Sequence, residues 1–410
     1  MPEFLELLPP EEALGRLLSE LPIQLTPENV KTEASLGRVT AEPIVATHPL
    51  PSFDRSTVDG YAVRAADTHG AGEALPAYLN VVGEVPMGAV PAVSLGQGQC
   101  ALIHTGGMLP PGADAVVMIE YSQLIKPVEV EIFHSVAVGE NVIKVGEDVK
   151  RMQEVFPRGT RFRSAEIGGA MALGITDLNV TRKPRLGILS TGDEVISPEE
   201  EIQPGQVRDI NSYTLSALVD QAGGVAIRYG IISDQADVLY TIAKRALEEC
   251  DIVVITAGSS ASVRDVTSQV IERLGTPGVL VHGVNVRPGK PTILGVCDGK
   301  AVIGLPGNPV SALVIAWLFV VPIIEALLGV QHSQPPPSIR ARLTVNLASQ
   351  AGREDWVPVR LIREKDGYLA EPVFGKSNLI FTLARADGLL RISPDANGMN
   401  AGEIVQVRLF

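Results

Sequence analysis

Apolar residues first recur at helical spacing between Pro10 and Leu21, where Leu14, Leu17 and Leu18 follow Glu11 and Glu12. Acidic residues in a first turn and an apolar stripe behind them predict a helix. From Pro49 to about Val138 the pattern changes to short β-branched runs broken by Gly and Pro, as in Leu79–Val82, Ala101–His104 and Ala115–Ile119. That texture predicts a small β-rich module. The stretch Gly139–Gly174 is more charged, with a short helix expected from Ser164 to Leu173 and Ser164 as its cap.

Near Pro184 the pattern becomes α/β. A buried strand is expected at Leu186–Ser190, with further strands at Val225–Ile232, Asp251–Ile255, Thr292–Val296 and Ala301–Leu305. Between them lie helical patterns at Ser212–Gln221, Ala236–Glu249 (Val238, Ile242 and Leu247 inward) and Val266–Leu274. An apolar helix from Val310 to Leu328 follows. Strands alternating with helices predict a parallel sheet with crossover helices. Ala301–Ile324 carries no charge and is long enough to cross a bilayer, but Gly304, Pro306, Gly307, Asn308 and Pro309 break its start and Pro322 should end its helix. It therefore reads as strand, turn and buried helix. After a stiff proline linker at 334–338, alternating segments such as Ala341–Val345 and Ile404–Leu409 predict a small β-barrel or sandwich. The fold class is a multidomain α/β protein with a central parallel-sheet domain at 181–330. A β-rich module occupies 51–138, a discontinuous small mixed N-terminal region 1–50 plus 139–180, and a C-terminal β-barrel domain 338–410.

Composition narrows the partners. A chain of 410 residues with 34 Lys+Arg against 47 Asp+Glu has a net charge of −13, which argues against nucleic-acid binding. Cys100, Cys250 and Cys297 are isolated, so neither a disulfide framework nor a cysteine zinc site is expected. The six histidines show no metal-ligand spacing, and no nucleophile elbow occurs. The acidic start lacks the basic region of a signal peptide, and the expected location is the cytoplasm, without a membrane span.

Ligands of an open α/β sheet collect outside the carboxyl ends of its strands. There the sequence places Ser190-Thr191-Gly192-Asp193-Glu194, the Gly258-Ser259 turn running on to Asp265, and Gly304–Ser311 opening a helix. Each is either a turn or an anion cradle, since a helix N-terminus offers free N–H groups. Asn308 and Pro309 could equally be only a cap and a first helical residue. Arg287-Pro288-Gly289-Lys290-Pro291 supplies two cations, as a phosphate grip or as a basic hairpin. Asp193, Glu194, Asp209 and Asp265 fall in turns on the same edge. Beside an anion pocket they would need a bridging cation, and Mg²⁺ takes one or two carboxylates plus phosphate oxygens. The alternative is capping, with Asp209 or Asn211 opening the helix near Ser212. The run Ser52–Val63 ends its polar part in Asp59-Gly60, which propensity alone reads as a hairpin turn.

Asp54–Ala62, Thr105-Gly106, Gly146-Glu147-Asp148, Ser190–Glu194, Asp209-Ile210-Asn211, Arg287–Pro291 and Gly304–Ser311, in this order, resemble the molybdopterin molybdenumtransferases. These are the insertases of molybdenum-cofactor synthesis, related to the E domain of gephyrin. The resemblance spans nearly the whole chain and implies an elongated four-domain homodimer, with the N-terminal region in dimerisation and each site shared between subunits. It implies that adenylylated molybdopterin and molybdate are the substrates, with Mg²⁺ as cofactor and AMP released. By motif match Asp193, Glu194, Asp209 and Asp265 would be catalytic, with Glu194, Asp209 and Asp265 on the metal. Thr191, Gly192, Asn211, Gly258, Ser259, Arg287, Lys290, Gly307, Asn308, Pro309 and Ser311 would hold the substrate. Asp59, Thr105 and Asp148 would reach in from the second subunit. The chain departs from the pattern at Gly258-Ser259, where Gly-Gly is usual, at Arg208, where an aromatic is common, and at Arg287, where Lys is common. A non-catalytic molybdopterin-binding or scaffold homologue is the alternative reading. An enzyme that adenylylates molybdopterin is a third, disfavoured by the additional β domains.

Overall fold

The computed structural model describes residues 7–257, 261–331 and 336–410, and for 261–265 the backbone alone. Its central layer is a six-stranded sheet of β1 (Arg185–Thr191), β2 (Val225–Ile232), β3 (Ile252–Ala257), β4 (Pro277–His282), β5 (Ile293–Cys297) and β6 (Lys300–Pro306), in the order β2-β1-β3-β6-β5-β4. β2, β1, β3 and β6 run parallel, with Leu186 opposite both Ala226 and Ile252, and Ile252 opposite Ala301. β5 runs antiparallel to both of its neighbours, β6 and β4, which corrects the expectation of a wholly parallel sheet, and β4 was not anticipated at all. The reason is local. Only Asp298 and Gly299 separate β5 from β6, both at positive φ (50° and 80°). That is the signature of a two-residue hairpin turn, which leaves no chain for a crossover.

Helices α1 (Asn211–Ala222), α2 (Ala236–Glu249), α3 (Ala261–Leu274) and α4 (Pro309–Leu328) cover both faces. α1 and α4 share one buried cluster with Leu186, Val254 and Ile303, while α2 and α3 share another with Leu189, Val253 and Val302. Alternate residues of each strand thus face opposite cores, as a strand period of two requires. In α2 the inward stripe is Leu239, Ala243, Ala246 and Leu247, with Ile242 packed at its margin; Val238, expected inward, is exposed. The stripe that satisfies helical geometry begins one residue later. α4 also differs from expectation, because Pro322 does not end it. Ala316–Val320 forms a π turn just ahead. A proline lacks an N–H and crowds the carbonyl four residues back, and a widened turn accommodates both. α4 is long and apolar enough to cross a membrane by length and composition, yet Ile315, Phe319 and Ile323 are buried in the protein core.

The helix Pro10–Glu20 starts with Pro10 at its first turn, and its Ala13 and Leu17 enter the α1/α4 cluster. It therefore packs on the α/β domain rather than on the N-terminal region. That region is closed by antiparallel pairing of Pro27–Lys31 with Asp177–Thr181 and of Ile44–Val45 with Glu154–Phe156. Its helix Ser164–Ala172 is not capped by Ser164. Glu166 reaches back instead, accepting from Arg163 N–H (2.8 Å) and pairing with the Arg163 guanidinium. The Arg163 hydrogen bond comes first among the causes that hold the Glu166 carboxyl down, at about 2. A depressed acid contributes stability above its unfolded value and loses it as pH falls towards the folded one. Glu166→Gln should therefore flatten the acid limb of the stability curve between about pH 4 and 2 relative to the unaltered chain. Urea midpoints measured across that range check it.

The β-rich module is a six-stranded sheet in which Gly60–Val63 lies between Gln99–Ile103 and Ala115–Met118. Asp59-Gly60 is thus no hairpin turn. Gly60 opens an interior strand where a Cβ would sit 1.9 Å from the Val117 carbonyl oxygen, so the position admits only glycine. At the C-terminus Ser338–Leu343, Glu354–Glu364, Gly367–Pro372, Gly388–Ile392 and Ile404–Leu409 close into a barrel, the second and fourth of these pairing to complete it. Val286–Arg287 adds to this barrel as a short parallel strand, Val286 opposite Glu354 and Arg287 opposite Asp355. The proline linker lies partly outside the described residues.

Candidate functional site at the carboxyl edge of the sheet

A cavity of about 990 Å³ opens between the carboxyl edge of the sheet and the C-terminal barrel. Arg287, Lys290, Asn308 and Ser311 line it from the α/β domain, and Arg353, Lys376 and Ser377 from the barrel domain. The two α/β cations stand on the loop 287–291, which turns at Gly289 (φ 113°) with the glycine pressed against Ile315 of α4. Arg287 is exposed and lies 3.9 Å from Asp355. Asp355 is itself buried and holds Arg353 in a two-pronged pair at 2.7 and 3.0 Å. One carboxylate thus steadies two guanidinium groups, leaving excess positive charge facing the cavity.

At the amino end of α4 Pro309 takes the first helical position and Asn308 the cap position, but the Asn308 side chain caps nothing. Its Nδ2–H donates to Ser377 Oγ (3.1 Å), and Val310 N–H donates to the Ser377 carbonyl (3.0 Å). The barrel domain, which sequence reasoning left out of the site, therefore supplies one wall and ties down this helix end. Neither composition nor periodicity signals such a contact.

Asp193, Glu194 and Asp209 lie on a neighbouring ledge, outside the cavity lining. From β1 the chain passes Gly192, Asp193 and Glu194 and returns through the parallel ribbon of Val195–Ile196 with Val207–Arg208 to Asp209. The Asp209 carboxylate is buried (7% exposed) and accepts three hydrogen bonds, from Ser212 N–H (3.1 Å), Ser212 Oγ–H (2.5 Å) and Ser190 Oγ–H (3.0 Å). Asp209 thus satisfies an N–H in the first turn of α1 from one residue ahead of the cap position, which Ile210 holds. Asn211 Nδ2–H donates to the Gly307 carbonyl (2.8 Å), linking α1 to the loop before α4, and Asn211 Oδ1 is buried without a partner. Thr191 Oγ–H donates to the Thr256 carbonyl, joining the ends of β1 and β3. Gly258 and Ser259 lie outside the described residues. Asp265, expected in a turn, falls in the first turns of α3, and its side chain is not among those described.

One acid was missed. Asp234, just after β2, donates its N–H to Asp193 Oδ1 (3.4 Å), and its own Oδ1 is buried without a partner. Burial, then the charges of Asp193 and Glu194, push its carboxyl above the usual range, against a hydrogen bond to Thr191. The available signal was its place after a parallel strand. Three carboxylates thus meet at one end of the sheet.

A Mg²⁺ ion fits this ledge in one respect. The orphaned oxygen of Asp234 beside Asp193 offers the one or two carboxylates that Mg²⁺ accepts when phosphate and water complete its shell. Among the described residues no group of three or more His, Cys, Asp or Glu is placed to hold a metal alone.

The second-subunit candidates stand apart, Asp59 and Thr105 in the β-rich module and Asp148 just beyond it. Asp59 accepts from Thr105 N–H (2.8 Å) and Thr105 Oγ–H (3.1 Å), and these bonds hold its carboxyl below the usual range. Asp148 is exposed on the loop whose earlier residues, Lys144 and Val145, bond to Asp54.

Three family models match nearly the whole chain. Residues 8–174 match the MoeA N-terminal region (domains I and II), 187–326 a probable molybdopterin-binding domain, and 340–410 the MoeA C-terminal region (domain IV). A Bacillus subtilis molybdopterin molybdenumtransferase is 33% identical over 98% of this chain and 94% of its own length. A Nostoc protein of the same name is 35% identical over 83% of this chain and 78% of its own. The crystal structure of a molybdopterin biosynthesis moeA protein from Pyrococcus horikoshii superposes with a TM-score of 0.86 at 33% identity, covering 99% of this chain and all of the other (100%). With its fold, its domain order and relatives alike along its full length, the chain belongs to the molybdopterin molybdenumtransferase family.

Proposed function

We infer that the chain is a molybdopterin molybdenumtransferase of molybdenum-cofactor biosynthesis, inserting molybdenum from molybdate into adenylylated molybdopterin with release of AMP. The observation that carries this reading is the cavity between sheet edge and barrel. Its cations on both walls suit a substrate with several anionic groups, and a clustered acidic ledge lies beside it. Arg287 and Lys290 hold anionic oxygens of the substrate through charge-assisted hydrogen bonds, each worth about 1.5–3 kcal/mol. Asn308 and Ser311 shape the floor, with Pro309 buried behind them at the start of α4, and the barrel forms the far wall. Asp193, Glu194 and Asp234, with Asp209 and Asp265 as further candidates, would serve cleavage of the phosphoanhydride. These acids would hold Mg²⁺, which, when bound, offsets the negative charge of phosphate and carboxylates during cleavage. Asp59, Thr105 and Asp148 of a second copy complete the site in a homodimer, and the reaction runs in the cytoplasm.

Purified chain given adenylylated molybdopterin, molybdate and Mg²⁺ should release AMP, with no ATP consumed and little release when molybdate or Mg²⁺ is withheld. Asp234→Asn should slow release at least tenfold. Binding without any AMP release would favour the scaffold reading. Full activity in both Asp209→Asn and Asp265→Asn would remove those two from the acidic site.

A further inference from the structure

Phe374 has no role in any of the interactions described so far. It lines the cavity from the barrel side and is 71% exposed, unusual for a large aromatic side chain. The other aromatic residue of the lining, Trp356, is 6% exposed; its Nε1–H donates to Glu354 and its ring packs edge-on against Trp317. Phe374 is therefore the accessible aromatic face among the described lining residues, in a protein with only 4% aromatics.

Its backbone is held at both ends. Val373 N–H donates to the Pro358 carbonyl (2.8 Å), and Ser377, three residues further on, is bonded to Val310 and Asn308 across the cavity. Lys376 lies two residues away on the same loop. An anchored loop carrying a bare ring and a cation suits a flat heteroaromatic ligand with an anionic tail. A bare ring in water has no stabilising contact of its own, whereas stacking removes apolar area from water on both partners.

We propose that Phe374 is a stacking platform for a fused-ring heterocycle of the substrate, with the attached anionic group directed towards Lys376, Lys290 and Arg287. The proposal rests on the functional reading above, and adenylylated molybdopterin carries two such rings, a purine and a pterin. Stacking of a base on an aromatic side chain typically changes affinity by about five- to a hundredfold on alanine substitution. The ring makes little use of its packing in the fold, so its removal should leave stability unchanged.

The test titrates full-length protein separately with AMP and with molybdopterin, using the unaltered chain, Phe374→Ala and Phe374→Trp. Phe374→Ala should weaken one of the two ligands about tenfold, and which one weakens identifies the stacked ring. Affinity for molybdate, which has no ring, should not change. Phe374→Trp should retain affinity and show indole fluorescence quenched on binding, a signal a merely structural role would not produce. Equal affinities of the unaltered and alanine proteins for both ligands, or an unquenched tryptophan, overturn the platform alone. Failure of the unaltered chain to bind either ligand overturns the functional reading and the platform with it.

Discussion

Replacing Arg287 and Lys290 together by alanine is expected to lower AMP release at least a hundredfold while leaving the melting temperature nearly unchanged. Both side chains are exposed and project from a loop into the cavity, so their removal opens no core. Each should contribute about 1.5–3 kcal/mol to holding an anionic oxygen, and every 1.4 kcal/mol is roughly a factor of ten. Lys290→Ala alone should cost about tenfold or more. Arg287→Lys should cost less than Arg287→Ala, because the charge survives and only the planar fork is lost. The measurement is AMP release at saturating molybdate, with thermal unfolding as control. A loss under threefold in the double variant would place the substrate's anionic groups elsewhere.

The second large effect is on stability. Gly289→Ala should destabilise the protein by about 2–4 kcal/mol, through overpacking and backbone strain together. Its φ of 113° is one that residues with a Cβ rarely adopt, and an added Cβ would sit 2.2 Å from Ile315 Cγ1. Ile315 is fully buried in α4, so it cannot swing aside without disturbing the core. Ile315→Ala by itself should cost about 2–5 kcal/mol. The double variant should cost clearly less than the sum, since the smaller side chain makes room for the Cβ but leaves the strained φ. Urea unfolding of all four proteins checks this; strict additivity would mean that the loop shifts as a whole rather than pressing on α4.

Much of this architecture was legible in the chain. β2 and α2 carry uninterrupted local patterns, and their ends fell where the structure places them. What failed locally failed for identifiable reasons. Asp298-Gly299 carries a hairpin signal that was passed over, and it reverses one strand of the six, while Asp59-Gly60 carries the same signal inside a strand because Val117 fills the space beside Gly60. Pro322 looked like a stop, but the helix widens before it. The site was readable only strand by strand. Arg287, Lys290, Asn308 and Ser311 were found from their turns and share one cavity, whereas Ser377 and Lys376 were not, since they come from beyond the linker. Asp209 shows the ambiguity of one residue type: its hydrogen bonds to Ser212 and its charge use the same two oxygens.

The pairing of Val286–Arg287 with Glu354–Asp355 adds a short ladder to the contacts that join the α/β domain and the barrel. Any swing of the barrel must carry Arg287 along with it, because the same short ladder belongs to both. Opening the cleft to admit a bulky ligand would therefore withdraw a charge from it, and shutting the cleft would return that charge. Entry and electrostatic grip are geared together rather than set independently.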